Sequence, residues 1–452
     1  MTDWSPSSWT AKRAAQDILY EDPDELAEAK AALRRLPPLV TSFEVERLKS
    51  LLAEAQQGKR FVLQGGDCAE TLLECDSDII ARKLKVLLQM SLVLVHGGHR
   101  PVVRIARLAG QYAKPRSQPT ETKTLPSGET LTLPSYFGDL INKPGFTPQE
   151  RRADPWMLVR GYQHAALTLN FVRSLTEGGF ADLHHPEYWD LEYLMGSARR
   201  GEYQTTVDEV LAALRFMTAL GDGPVRELER VEMFTSHEGL NLHYESAQTR
   251  RVPRRDGWYD LTTHLPWIGE RTRQLDGAHI EFFRNIENPL GIKVGPTATK
   301  DDVLGLLKAL NPRDEPGKIV LITRMGAGKI RDGLPPLIDA VQKAKRRVLW
   351  VSDPMHGNTR KTGAGVKTRN FDDVLAELGA CMAVHEACGS YFGGVHLELT
   401  GDDVTECVGG EERLSEADLA QNYTTACDPR LNARQALEVS FRVAQKLKRP
   451  GD

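Results

Sequence analysis

Arg347-Val348-Leu349-Trp350-Val351-Ser352-Asp353-Pro354-Met355-His356-Gly357-Asn358 joins an apolar, β-branched run to Asp, His and Asn at its carboxyl end. That is the pattern of a buried parallel strand presenting polar chemistry where it stops. Pro354 has no N–H to give to a ladder, so the strand ends at Asp353 and His356 falls on the loop beyond. Working outward, Arg60 to Gly66 runs into Asp67-Cys68-Ala69-Glu70, and Pro101 to Arg107 runs into the basic loop Ala109 to Ser117. Val231 to His237, Leu261 to Ile268, Gly291 to Gly295, Lys318 to Arg324 and Gly394 to Thr400 complete a set of eight. Helix-length segments such as Lys300–Leu310, Leu337–Lys345 and Phe371–Cys388 separate most of them. The alternation predicts a (β/α)8 barrel, with functional residues at its carboxyl face. A doubly wound open sheet is the alternative, but Gly65-Gly66-Asp67-Cys68 lacks the GxGxxG spacing that sheet calls for after its first strand.

The 452 residues, 40% hydrophobic and 27% charged, suffice for one large core or two ordinary ones. A net charge of -4 argues against nucleic acid as a partner. No stretch approaches the roughly 18 apolar residues of a membrane span, and the first residues lack a basic-then-apolar leader, so a soluble cytoplasmic protein is expected. The six cysteines include no CxxC pair, which favours reduced thiols over a disulfide framework.

Residues 1–40 precede the first strand. Ser7-Ser8 are placed to cap a helix from about Trp9 to Tyr20, and Asp22 or Asp24 a second that Pro37-Pro38 ends. This extension is either a solvated amphipathic arm or a surface for another subunit, and a homo-oligomer is the expectation. Residues 41–452 form the barrel, interrupted between the second and third strands by an insertion at about 118–230. Its first part, Gln118 to Pro134, reads as an exposed hairpin or loop, and helical periodicity follows at Met157–Thr176 and Thr206–Ala219.

Cys68 follows the first strand, His356 the seventh, Glu398 lies in the eighth, and Asp428 lies in the last loop. Each alone reads more simply as a buried thiol, a satisfied loop histidine or a helix cap. Together, thiolate, imidazole and carboxylates at one barrel end form a site for a divalent transition metal: manganese, cobalt, iron or zinc rather than magnesium or calcium. Arg107, Lys114, Arg116, Arg271, Lys293 and Arg324 bring positive charge to other strand ends. Lys293 interrupts an apolar strand, where an unpaired ammonium costs several kcal/mol, so it needs an anionic partner. Several converging cations imply a multiply charged substrate, since each one about 4 Å from an anion gains roughly 4 kcal/mol at an effective dielectric of about 20.

Five stretches carry a resemblance beyond spacing: Gly65-Gly66-Asp67-Cys68-Ala69-Glu70, Ala109 to Ser117, Trp267 to Arg273, Asp353 to Thr359, and Thr405-Glu406-Cys407-Val408-Gly409-Gly410. In this order they resemble the signatures of type II 3-deoxy-7-phosphoheptulonate (DAHP) synthases over nearly the whole chain. The resemblance implies a metal-dependent enzyme of the shikimate pathway that condenses phosphoenolpyruvate with erythrose 4-phosphate and releases phosphate. It assigns one divalent ion, manganese or cobalt ahead of zinc or iron, to Cys68, His356, Glu398 and Asp428. Phosphoenolpyruvate goes to Arg107, Glu270, Arg271, Lys293 and Arg324, and erythrose 4-phosphate to Lys114, Arg116, Ser117 and Asp353. Lys293, Arg107, Cys68 and His356 are the catalytic candidates.

The chain departs from the family's pattern at the long Gln118–Pro134 segment, at Phe137 where a basic residue is common, and around Gln16 to Asp22. These departures bear on oligomer contacts and on a possible aromatic amino acid effector. They also leave room for an amino-sugar or phenazine-pathway variant. A non-catalytic regulatory barrel would lack a metal ligand or a phosphate cation, and a pyruvate-using aldolase would not need so many cations.

Overall fold

The computed structural model describes residues 4–125, 127–181, 200–220 and 231–447, of which 214–220 as backbone only. Among them eight parallel strands close into a barrel: β1 (Phe61–Gly66), β2 (Val102–Arg107), β3 (Met233–Glu238), β4 (Leu265–Ile268), β5 (Leu290–Val294), β6 (Ile319–Thr323), β7 (Leu349–Ser352) and β8 (Phe392–Glu398). β1 pairs with both β2 and β8, which closes the ring. The (β/α)8 expectation holds, and every strand read from the sequence is present within a few residues. Their apolar runs are continuous because the strands are buried on both faces.

The barrel interior is filled by Val62, Val103, Ile105, Phe234, Leu265, Trp267, Val320, Ile322, Leu349 and Val351, which form one cluster with Leu48, Leu51, Leu52 and Ala55. These last four lie on one face of the helix Ser42–Gln56, which starts with a Thr41/Glu44 capping box. The helix lies across the amino ends of the strands. Gly317, at φ 73° just before β6, lets the chain pass so close that a Cβ there would sit 1.9 Å from the Lys49 carbonyl oxygen. That helix plugs the barrel's amino end, and in such barrels chemistry gathers at the carboxyl end.

The N-terminal extension differs from its expected form. In place of a helix from Trp9 to Tyr20 there is a single 3-10 turn, Ser8–Ala11, to which Ser7 gives no side-chain cap. Beyond it Gln16 adopts a left-handed φ of 63°, which no helix can accommodate. The second helix is present as Pro23–Arg35, and the Asp22 carboxylate accepts the N–H groups of Asp24 and Glu25. Its apolar residues Ala29 and Leu33 are covered by the chain's own Trp156–Glu177 and Leu242–Gln248 helices.

The insertion opens with an antiparallel hairpin, Thr120–Thr124 with Thr130–Pro134. Helices Trp156–Glu177 and Arg200–Leu220 follow, both against Ser77–Gly98, so they decorate the barrel wall as expected. The parts of the insertion at 182–199 and 221–230 lie outside the described residues. Among the described residues no helix is long and apolar enough to cross a membrane.

Candidate active site at the carboxyl end of the barrel

A cavity of about 230 Å³ opens at the carboxyl ends of the strands, lined among others by Arg107, Lys114, Ser117, Glu270, Arg271, Lys293, Arg324, His356 and Asp428. The barrel thus gathers residues from across the chain at one mouth. Arg116 is the exception among the cations: its guanidinium turns to the Cys427 sulfur at 3.4 Å and the Glu121 carboxylate at 2.9 Å.

At the floor, Glu398 closes β8. One carboxylate oxygen faces Arg107 Nη2 at 2.9 Å, His356 Nε2 at 3.0 Å and Lys114 Nζ at 3.3 Å, while the other accepts from Arg369 at 2.7 Å. Burial works against its ionisation, but His356, Lys114, Arg369 and Arg107 outweigh it and hold the carboxyl well below its usual range. Asp428 takes Lys367 at 2.9 Å on one oxygen and Lys114 at 3.4 Å on the other, and its backbone N–H points to Cys68 Sγ at 3.1 Å.

His356, Glu398 and Asp428 offer ligand atoms within 4.8 Å of one another, and so do Cys68, Cys427 and Asp428. The two groups share Asp428, so the four residues expected as ligands fall in two adjoining clusters. Cys427 is an addition to the expected ligand set. The donor set of thiol, imidazole and carboxylate suits a divalent transition metal. Lys114 already places a cation there, with its ammonium 2.9 Å from Cys68 Sγ. His356 is oriented from behind, its Nδ1 2.7 Å from Asp353 Oδ2, as histidine ligands commonly are.

Lys293 finds its counter-charge within the chain, in Asp353 at the end of β7. Burial pushes the Lys293 ammonium down to about 8, with Arg107 acting in the same sense and Asp353 resisting. The Asp353 carboxyl is held far below its usual range despite burial, by His356 and Lys293. Arg107 is fixed by the carbonyls of Asp67 and Cys68 and lies 5.1 Å above the Trp267 ring. Arg324 donates to the His356 carbonyl at 2.9 Å, and Arg271 to Ser117 Oγ at 3.0 Å. Glu270 accepts the Gly295 N–H at 2.7 Å and pairs with Arg273 at 3.0 Å, tying the β4 loop to the end of β5.

Sequence reasoning gave no site role to Glu238, Trp267, Lys367 or Cys427. Glu238 ends β3 inside the cavity wall, with Oε1 buried and without a hydrogen-bond partner, and burial raises its carboxyl. The polar end of Val231–His237 was the available signal. The Thr405–Gly410 stretch also acquires a physical reason. Glu406 accepts the backbone N–H groups of Thr424, Thr425 and Arg430 and, through both its oxygens, the Nε–Nη2 edge of the Arg430 guanidinium, which clamps the loop carrying Cys427 and Asp428.

The model of the class-II DAHP synthetase family matches residues 4–444. A phospho-2-dehydro-3-deoxyheptonate aldolase of Neurospora crassa is 48% identical over 457 residues, covering 98% of this chain and 94% of that protein. One from Streptomyces coelicolor is also 48% identical, over 98% of this chain and 97% of its own length. The Mycolicibacterium smegmatis protein named phospho-2-dehydro-3-deoxyheptonate aldolase AroG is 45% identical, over 97% and 93%. A barrel that gathers these cations and metal-type donors at one end, matched nearly from end to end, is therefore an enzyme of the class-II DAHP synthetase family.

Proposed function

We propose that the protein condenses phosphoenolpyruvate with erythrose 4-phosphate and water to give 3-deoxy-D-arabino-heptulosonate 7-phosphate and phosphate, the first step of the shikimate pathway to aromatic amino acids. The observation that carries this is the density of cations in one small cavity: Arg107, Lys114, Arg271, Lys293, Arg324 and Lys367 all line it. Two phosphorylated substrates need that much compensating charge, and an uncharged one does not.

In this reading Lys293, Arg107, Arg271 and Arg324 hold the carboxylate and phosphate of phosphoenolpyruvate, and Glu270 acts through the backbone it fixes at Gly295. Lys114, Arg116, Ser117 and Asp353 serve erythrose 4-phosphate, with Arg116 acting from the rim. Cys68, His356, Glu398 and Asp428 hold one divalent ion, manganese or cobalt ahead of zinc or iron. When bound, that ion supplies Lewis-acid polarisation of the aldehyde carbonyl. The methylene carbon of phosphoenolpyruvate forms the new bond to the aldehyde carbon as the carbonyl π bond breaks, and the aldehyde oxygen takes up a proton from solvent to become a hydroxyl. Water adds to the cationic carbon left behind, and phosphate departs with its bridging oxygen. Lys293 and Arg107 stabilise charge on the departing phosphate, while Glu238, with its free buried oxygen, holds the attacking water and takes its proton.

The test is a comparison of donors in one assay with erythrose 4-phosphate and added metal. Phosphoenolpyruvate should be consumed and pyruvate ignored. Equal turnover of pyruvate would replace this reading with a metal-dependent aldolase.

A further inference from the structure

Gln16 is a non-glycine residue held in the left-handed region, at φ 63°, within a stretch of the N-terminal arm that has no regular structure. A side chain there costs stability that neighbouring contacts must offset, so what the turn achieves is a fair question. It sends the Gln16 side chain to the rim of the cavity, where Oε1 accepts the backbone N–H of Arg116 at 2.7 Å, across 100 positions of sequence. Only the carbonyl end of the amide can accept that N–H.

The arm on either side of Gln16 is fixed. Trp9 is buried with its ring edge-on to His243 at 5.0 Å, the Ala278 N–H donates to the Arg13 carbonyl at 3.0 Å, and Asn241 donates to the Tyr20 hydroxyl at 2.9 Å. The partner segment is fixed upstream, where the Lys114 N–H donates to the Phe137 carbonyl at 2.8 Å. Lys114, Pro115 and Ser117 line the cavity, so the Gln16 contact sits in the middle of a cavity-lining segment. Three of the four cations assigned to the enol phosphate are held without the arm: Lys293 by Asp353, Arg107 by the Asp67 and Cys68 carbonyls, and Arg324 by the His356 carbonyl, while Arg271 touches the segment through Ser117 Oγ at 3.0 Å.

We infer that Gln16 is a positioning residue for the Lys114–Ser117 segment, through which the N-terminal arm sets the affinity for the phosphorylated aldehyde and not for the enol phosphate. The substrate assignment rests on the function proposed above; the contact itself does not.

Two variants separate positioning from packing. Gln16→Gly relieves the left-handed backbone but deletes the acceptor, whereas Gln16→Glu keeps an acceptor oxygen at the same reach. Gln16→Gly should keep or raise the thermal midpoint, speed hydrogen–deuterium exchange at the Arg116 amide, and raise the KM for erythrose 4-phosphate about fivefold or more. The KM for phosphoenolpyruvate should stay within about twofold, and Gln16→Glu should stay within about twofold of wild type for both substrates. Equal rises in both KM values, or unchanged exchange at Arg116 with unchanged kinetics, would overturn the inference. Faster exchange at Arg116 in a protein whose wild type ignores erythrose 4-phosphate would uphold the contact and defeat the assigned substrate.

Discussion

The Lys114 ammonium lies 2.9 Å from the Cys68 sulfur, and the same nitrogen is 3.3 Å from Glu398 and 3.4 Å from Asp428. One side chain therefore neutralises the donors proposed to hold a divalent ion, and a bound ion would leave Lys114 free to face a substrate phosphate. The protein is expected to bind about one transition metal per chain, and a chelator should abolish activity reversibly. Cys68→Ser and His356→Ala should each weaken binding at least about tenfold by metal titration. Full occupancy in both variants would remove these residues from the ligand set.

Lys293→Ala should retain its metal and lose most activity, because Lys293 is paired with Asp353 rather than with the donor cluster. Removing a buried charge contact costs roughly 2 to 5 kcal/mol, or about two to three decades in kcat/KM for phosphoenolpyruvate. If the contact strengthens as phosphate leaves, kcat falls as well as KM rising. Wild-type steady-state kinetics in this variant would exclude Lys293 from the phosphoenolpyruvate site.

A pH dependence follows from the same residue. Burial lowers the Lys293 ammonium to about 8, so the charged form dominates below that pH and is lost above it. The value of kcat/KM for phosphoenolpyruvate should fall about tenfold per pH unit above about 8. A bound anion favours the ammonium, so the limb in kcat should lie at higher pH than the limb in kcat/KM. Lys293→Arg, which keeps its charge, should remove the limb from the kcat/KM profile whatever its absolute rate. An unshifted limb would assign it to another group.

Glu406 supplies a stability prediction. It is fully buried and pairs with Arg430, which also donates to Asp67 at 2.8 Å. Glu406→Ala strands three backbone N–H groups and half of a buried guanidinium, which should cost roughly 3 to 5 kcal/mol in denaturant unfolding. Because the released loop carries Asp428, metal affinity should fall in the same variant. Wild-type unfolding would show that the clamp contributes nothing.

The barrel was legible because strands buried on both faces read as unbroken apolar runs and stop at Gly, Pro or Asp, as at Gly66 and Pro354. The donor and cation sets were legible because a parallel barrel brings every strand's carboxyl end to one face. Candidate donors such as Cys68 and Asp428, 360 positions apart, could be joined by topology alone. The first half of the N-terminal arm was not legible, because the polar residues around Gln16 satisfy a helical pattern as well as an extended one, and the structure there is a left-handed turn tied to Arg116. Glu238 and Lys367 were missed for a related reason. Glu238 had only its place at the polar end of a strand to mark it, and nothing local distinguishes a lysine on Asp428 from ordinary surface charge.

The most direct test of the proposed chemistry follows phosphoenolpyruvate and inorganic phosphate together, with one divalent metal present, before and after erythrose 4-phosphate is added. Phosphoenolpyruvate should be stable alone and then disappear with release of one phosphate per aldehyde consumed, the bridging oxygen leaving with the phosphate. Disappearance without the aldehyde, or no disappearance with it, would contradict the assignment.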